Sequence, residues 1–214
     1  MILSQRATET EAKTFFAELN VKHRIRRFCL NEACFPTSSE AWLEEGYRAE
    51  KYDLDDEDWG VCVPILIISS SSEKTFHLFM CFLKLFKKMV KVSLERSCDG
   101  DHKRLNFSIS NIDPIPLRSL LWDYENLFVG DGCAGIAVLS RKSGFTVILN
   151  EHKYLIIYNW ILFKKSVLAI LENNEIQRKQ NIQVVVEMKH CHTSSKSFQG
   201  KFRELKLALK KMGV

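Results

Sequence analysis

The run Glu187-Met188-Lys189-His190-Cys191-His192 places a carboxylate, two imidazoles and a thiol within six residues. Alternate residues of an extended strand project to the same side, so His190 and His192 are expected to share a face. Two imidazoles beside a carboxylate suit zinc or iron, and His152 can supply a third nitrogen. Glu187, His190 and His192 are therefore the expected metal group. A second constellation is Cys133 within GDGCAG, whose glycines let backbone N–H groups approach an oxyanion or a phosphate. It lacks the GK[ST] of a P-loop and the G-x-G-x-x-G of a dinucleotide site, so it reads as a tight turn into a buried strand.

Asp131 and the Glu151-His152-Lys153 turn form a third constellation, which resembles the Asp…Glu-x-Lys pattern of PD-(D/E)xK nucleases. In that chemistry two carboxylates hold Mg²⁺, and the lysine orients or deprotonates the attacking water. On this reading Asp131, Glu151 and Lys153 are catalytic, a divalent metal is the cofactor, and DNA or RNA is the substrate. A second Glu-x-Lys stands at Glu187 and Lys189. Two details count against a nuclease. Glu151 and Lys153 fall in a turn, not on the body of a strand, and no Asp follows Asp131 to partner Glu187.

The net charge of +5 and a pI of about 8.8 permit attraction to polyanions without requiring it. Lys84, Lys88 and Lys91, at i, i+4 and i+7, would line the outer face of an amphipathic helix expected over 73–89 and form a polyanion-binding site. His23, Arg24, Arg26 and Arg27 read as a solvated basic turn. The acidic run Asp53 to Asp58 lacks the central glycine and terminal glutamate of a calcium loop. The seven cysteines include no C-x-x-C pair, which points to reduced thiols in a cytosolic protein. The N-terminus carries no apolar signal region, and the sequence predicts no transmembrane span.

Several elements must position these groups. Thr8 and Glu11 make a capping box for a helix continuing through Phe15, Phe16 and Leu19, with periodicity resuming at Val21, Ile25 and Phe28. A short helix is expected from Glu40 to about Arg48. Strands are predicted at 61–69, 91–96, 104–110, 135–140, 145–150, 154–159 and 182–188, the last being VVV-rich and therefore buried on both faces. Further helices are predicted from Pro114 through Tyr124, over 162–173, and over 197–212, where Phe198, Phe202, Leu205, Leu209 and Met212 form one stripe.

The resulting architecture is one α+β domain over 1–214. It has a helical arm over 1–58 and a mainly antiparallel sheet of six or seven strands, with four or five helices chiefly on one face. No catalytic constellation is complete. The sequence therefore reads as a soluble, cytoplasmic, non-enzymatic protein that acts by binding another macromolecule, with a protein as the expected partner. The alternatives are the metal-dependent nuclease and polyanion binding without catalysis.

Overall fold

Period-two alternation of apolar residues builds the sheet. The computed structural model describes residues 24–25, 28–37, 41–54, 61–97 and 104–213. In chain order its strands and helices are β1 (Arg24–Ile25), β2 (Phe28–Cys29), β3 (Cys34–Pro36), β4 (Gly46–Leu54), β5 (Val61–Ser69), α1 (Ser72–Leu83), β6 (Val90–Ser97) and β7 (Arg104–Ile112). There follow α2 (Pro114–Trp122), α3 (Glu125–Gly130), β8 (Ala134–Leu139), β9 (Thr146–Leu149), β10 (Leu155–Tyr158), α4 (Lys164–Asn173), β11 (His190–His192) and α5 (Lys196–Met212). Seven strands form one antiparallel sheet in the order β4-β5-β10-β9-β8-β6-β7, so the fold is α+β.

Register makes the core. Tyr47, Ile68, Leu155, Leu149, Ile136, Leu94 and Phe107 stand opposite one another in a row across all seven strands. Ala49, Leu66, Ile157, Val147, Val138, Val92 and Ile109 make the next row on the same face. The five α-helices of the described residues bury side chains against this face, among them Phe79, Leu117, Phe128, Val167 and Leu205. At about 1.5–3 kcal/mol for each large side chain fully buried, these rows outweigh any single polar contact in the molecule. On the opposite face Val184 closes over Ile65 and Ile67.

Several expected elements differ. The helix expected at Glu40 to Arg48 is instead the approach to β4, whose Tyr47 packs against the core; Leu43 is buried and Trp42 is exposed. Residues 24–25, 28–29 and 34–36 are strand, so the described part of the expected helical arm is not helical. The capping box at Thr8 and the acidic residues 55–58 lie outside the described residues.

The helix expected over 73–89 ends at Leu83, with Lys84 as its C-cap. The periodic signal ran on because Phe86 turns inward to pack on Phe145, with ring centroids 5.1 Å apart. Consequently Lys84 caps α1, Lys88 lies in the connection and Lys91 sits on β6, so the three do not line one helical face. The VVV run is not a strand either: residues 185–187 form a 3₁₀ turn. Its burial on two sides is nonetheless observed, since Val184 enters the cluster of Ile65 and Ile67, and Val185 that of Phe28, Leu30, Cys34 and Leu43. Among the described residues, no helix is long and apolar enough to cross a membrane.

Candidate metal centre

Beside the seven-stranded sheet, β3 and β11 pair antiparallel, with Cys34 opposite His192, Phe35 opposite Cys191, and Pro36 opposite His190. Residues directly opposite share a face, so this register puts Cys34, His190 and His192 on one side and Phe35 and Cys191 on the other. The ligand atoms of Cys34, His190 and His192 all lie within 4.8 Å of one another, and all three residues are buried. Cys34 Sγ and His192 Nε2 are 4.0 Å apart. Zinc bonds of about 2.3 Å to sulfur and 2.0–2.1 Å to nitrogen in a tetrahedron separate such atoms by roughly 3.6 Å, so the Cys34–His192 pair is near that spacing and the whole set must draw in by up to about 1 Å.

His152 arrives from the β9–β10 turn, and its ring stands 4.8 Å, centroid to centroid, from those of both His190 and His192. The turn is a three-residue loop in which Asn150 N–H donates to the Tyr154 carbonyl (3.0 Å) and Lys153 N–H to the Asn150 carbonyl (2.9 Å). Its last residue, Lys153, takes the left-handed conformation at φ 64°, a position that favours glycine or asparagine. The Lys153 side chain holds it there, donating to the Asp131 and Ala134 main-chain carbonyls at 2.6 and 3.1 Å. Burial pushes the Lys153 ammonium down to about 8, against the pull of the Asp131 charge.

The three imidazoles share one hydrogen-bonding pattern. His190 Nδ1 faces the Met188 carbonyl at 2.7 Å, His192 Nδ1 faces the Gly132 carbonyl, and His152 Nδ1 faces Asn150 Oδ1 at 2.7 Å. The Asn150 atom is an oxygen, because it also accepts from the His152 main-chain N–H at 2.7 Å. An acceptor opposite each Nδ1 requires a proton there, so each Nε2 carries the lone pair. That is the outer-shell arrangement that orients metal-ligating histidines. His190 Nε2 is buried and has no hydrogen-bond partner among the described residues. Burial pushes the Cys34 thiol up, which Lys153 only partly opposes, so a cation is what would stabilise the thiolate.

The corner is locked by backbone contacts that need Gly132. Gly132 N–H donates to the Thr193 carbonyl and Thr193 N–H to the Ala33 carbonyl, both at 2.8 Å. A Cβ on Gly132 would stand 1.9 Å from the Ala33 carbonyl oxygen. The Asn31–Cys34 turn is held by Asn31 Oδ1, which accepts from Ala33 N–H at 2.7 Å.

The expected catalytic group is arranged differently from the nuclease pattern. Asp131, fully buried, accepts from Arg96 Nε at 3.1 Å and from Cys133 N–H at 3.2 Å. Arg96 continues to Ser194 Oγ at 2.9 Å, tying the start of β8 to the end of β11. Lys153 meets the main chain of Asp131, not its carboxylate. Glu151 lies close enough to influence both Cys34 and Lys153 electrostatically. A carboxylate as enclosed as Asp131 does not suit Mg²⁺, which keeps several of its waters.

Glu187 stands outside the cluster. It pairs with the Arg48 guanidinium and accepts from Val184 N–H at 3.1 Å. Burial works to raise its pKa, but Arg48 and Val184 together hold it below the ordinary carboxylate value. Cys133 is buried. Sequence reasoning missed Cys34, which no C-x-x-C spacing marks; only the pairing of β3 with β11 brings it to the histidines. Family models, curated proteins and solved structures contain no match to this chain.

Proposed function

We propose that this protein is a zinc-binding, non-catalytic module that acts by engaging another macromolecule. Cys34, His190 and His192 hold the ion; His152, whose ring stands 4.8 Å from both imidazoles but outside that set, becomes the fourth ligand once its turn moves inward. The observation that carries the reading is the buried, unpartnered His190 Nε2 beside a buried thiol, with Nδ1 of every neighbouring imidazole engaged by an acceptor. One thiolate with imidazole nitrogens suits zinc, and four protein ligands leave no open position for substrate, as in structural sites. The engagement of Asp131 by Arg96 and of Glu187 by Arg48 supports a non-catalytic reading over the nuclease alternative. The ion would join β3, the β9–β10 turn and β11, three segments far apart in the chain, so its binding energy becomes folding energy.

Elemental analysis of the purified full chain is the test, followed by Co²⁺ substitution. One zinc per chain is expected, with a tetrahedral cobalt spectrum that includes a thiolate charge-transfer band. Cys34→Ser should remove that band and His190→Ala should lower the stoichiometry. A wild-type protein that takes up neither metal after reconstitution, or a Cys34→Ser variant with an unchanged cobalt spectrum, would overturn the assignment.

A further inference from the structure

The outer faces of α1 and α2 leave a groove of about 390 Å³ between them. From α1 come His77, Cys81 and Lys84, at i, i+4 and i+7; from α2 come Ile115, Arg118 and Trp122, at i, i+3 and i+7. Each wall is therefore a two-turn stripe about 10 Å long. Ile115 and Trp122 are 68% and 48% exposed, whereas most large apolar side chains of these two helices face the core. Trp122 is braced from behind by Phe76, edge to face at 5.4 Å, so the exposed indole is held in place.

Charge distinguishes this groove from an ordinary apolar patch. No carboxylate lines it, while Lys84, Arg118 and His77 stand along its walls. Among the described residues, neither Lys84 nor Arg118 has an acidic partner. A second groove, of about 410 Å³ near Trp42, is lined by Glu44, Glu45 and Glu175 among others, and lysines of this chain already face these carboxylates. An exposed tryptophan with an arginine four residues away in the same wall is the residue combination enriched at binding hot spots.

We infer that the α1/α2 groove is the docking site for an acidic amphipathic helix of a partner protein. About two turns of such a helix match the groove length, and its apolar stripe at i, i+3, i+4 and i+7 lies on Ile115 and Trp122. Flanking Asp or Glu side chains meet Lys84 and Arg118, which exclude basic helices by repulsion. The inference rests on the proposed role in macromolecular binding. It does not rest on the zinc site, since no groove residue belongs to the Cys-His cluster.

The test selects helical peptides from a displayed amphipathic library on the full-length protein and measures their affinity by fluorescence anisotropy. Selected sequences should be acidic beside a Leu- or Phe-rich stripe. Combining Lys84→Glu with Arg118→Glu should weaken them at least tenfold, and peptides with Lys in place of Glu should then bind. Trp122→Ala should weaken binding without altering charge selectivity. Zinc content should stay unchanged in all these variants and melting temperature in the charge reversals, whereas Trp122→Ala loses its packing on Phe76 and melts lower, so failure of the groove and failure of the metal site are separately visible. The inference is overturned if selection enriches nothing, if it enriches neutral or basic helices, or if the charge-reversed protein binds acidic peptides as before. It is equally overturned if an oligonucleotide, an anionic phosphatidylserine vesicle or a second copy of the chain occupies the groove more tightly than the selected peptides.

Discussion

Replacing His190 with leucine should separate what the ion contributes from what the side chain contributes to packing. In the metal-free protein His190 keeps one buried nitrogen without a partner, a cost of about 1–3 kcal/mol, and gains about 0.5–1.5 kcal/mol from its Nδ1 bond to the Met188 carbonyl. Leucine removes both terms at similar volume, so metal-free stability should move by no more than about 1–2 kcal/mol. The zinc-loaded protein behaves differently. Free zinc at a hundred times its Kd stabilises the native state by about 2.7 kcal/mol, which for a chain of this size raises Tm by roughly 5–11 °C. Scanning calorimetry of chelator-treated samples with and without added zinc reads this directly. Wild type should show the upshift with Zn²⁺ and none with Mg²⁺, and His190→Leu should show neither. An equal zinc upshift in the variant, or a Mg²⁺ upshift in wild type that survives the substitution, would refute the reasoning.

Removing the carboxylate in Asp131→Ala leaves the 3%-exposed Arg96 without its charge partner, and urea denaturation should show a loss of about 3–5 kcal/mol. Adding Arg96→Met to that variant should recover part of the loss; a double variant worse than the sum of the singles would contradict the pairing. Gly132→Ala should lower stability by about 1–3 kcal/mol or more and reduce zinc stoichiometry, because the group in the way is the Ala33 backbone. Gly200→Ala on α5 meets nothing within 4 Å and should stabilise by about 0.5–1 kcal/mol. Acidification should destabilise the fold through Glu45 and Glu187. Burial alone would raise each pKa, but Lys74 and Ser71 for Glu45, and Arg48 and Val184 for Glu187, hold both below the ordinary carboxylate value. A lowered native pKa means that the contribution is full above the unfolded value of 4.5 and is lost as pH falls through the native one. Urea midpoints from pH 6 down to pH 3 should fall less steeply in Glu45→Gln than in wild type.

Much of the fold was legible because its signals are local. Alternation marked Val90–Ser97, Arg104–Ile112 and the three strands from Ala134 to Tyr158, and the spacing of Phe202, Leu205 and Leu209 marked α5. Those patterns also carried the α+β class and the helices' preference for one face, since a side chain's neighbours along the chain fix which face it can bury. Local signals failed where burial came from elsewhere. Phe86 extended a helical pattern past its end, and the Val184–Val186 run read as a strand although it is wedged between two clusters.

The metal centre divides along the same line. His190 and His192 could be paired from the sequence, since alternation on a short strand is local, and His152 could be named as a third nitrogen. Glu187 could not be dismissed, because its partner Arg48 lies 139 residues away. Cys34 could not be chosen among seven cysteines, because only the β3–β11 register sets it opposite His192. The sequence by itself determined that His190, His192 and His152 could ligate, but not the short strands that carry Cys34, His190 and His192. The tertiary structure decided which of them meet, because convergence depends on long-range backbone pairing and on the close approach at Gly132 that spacing along the chain does not encode.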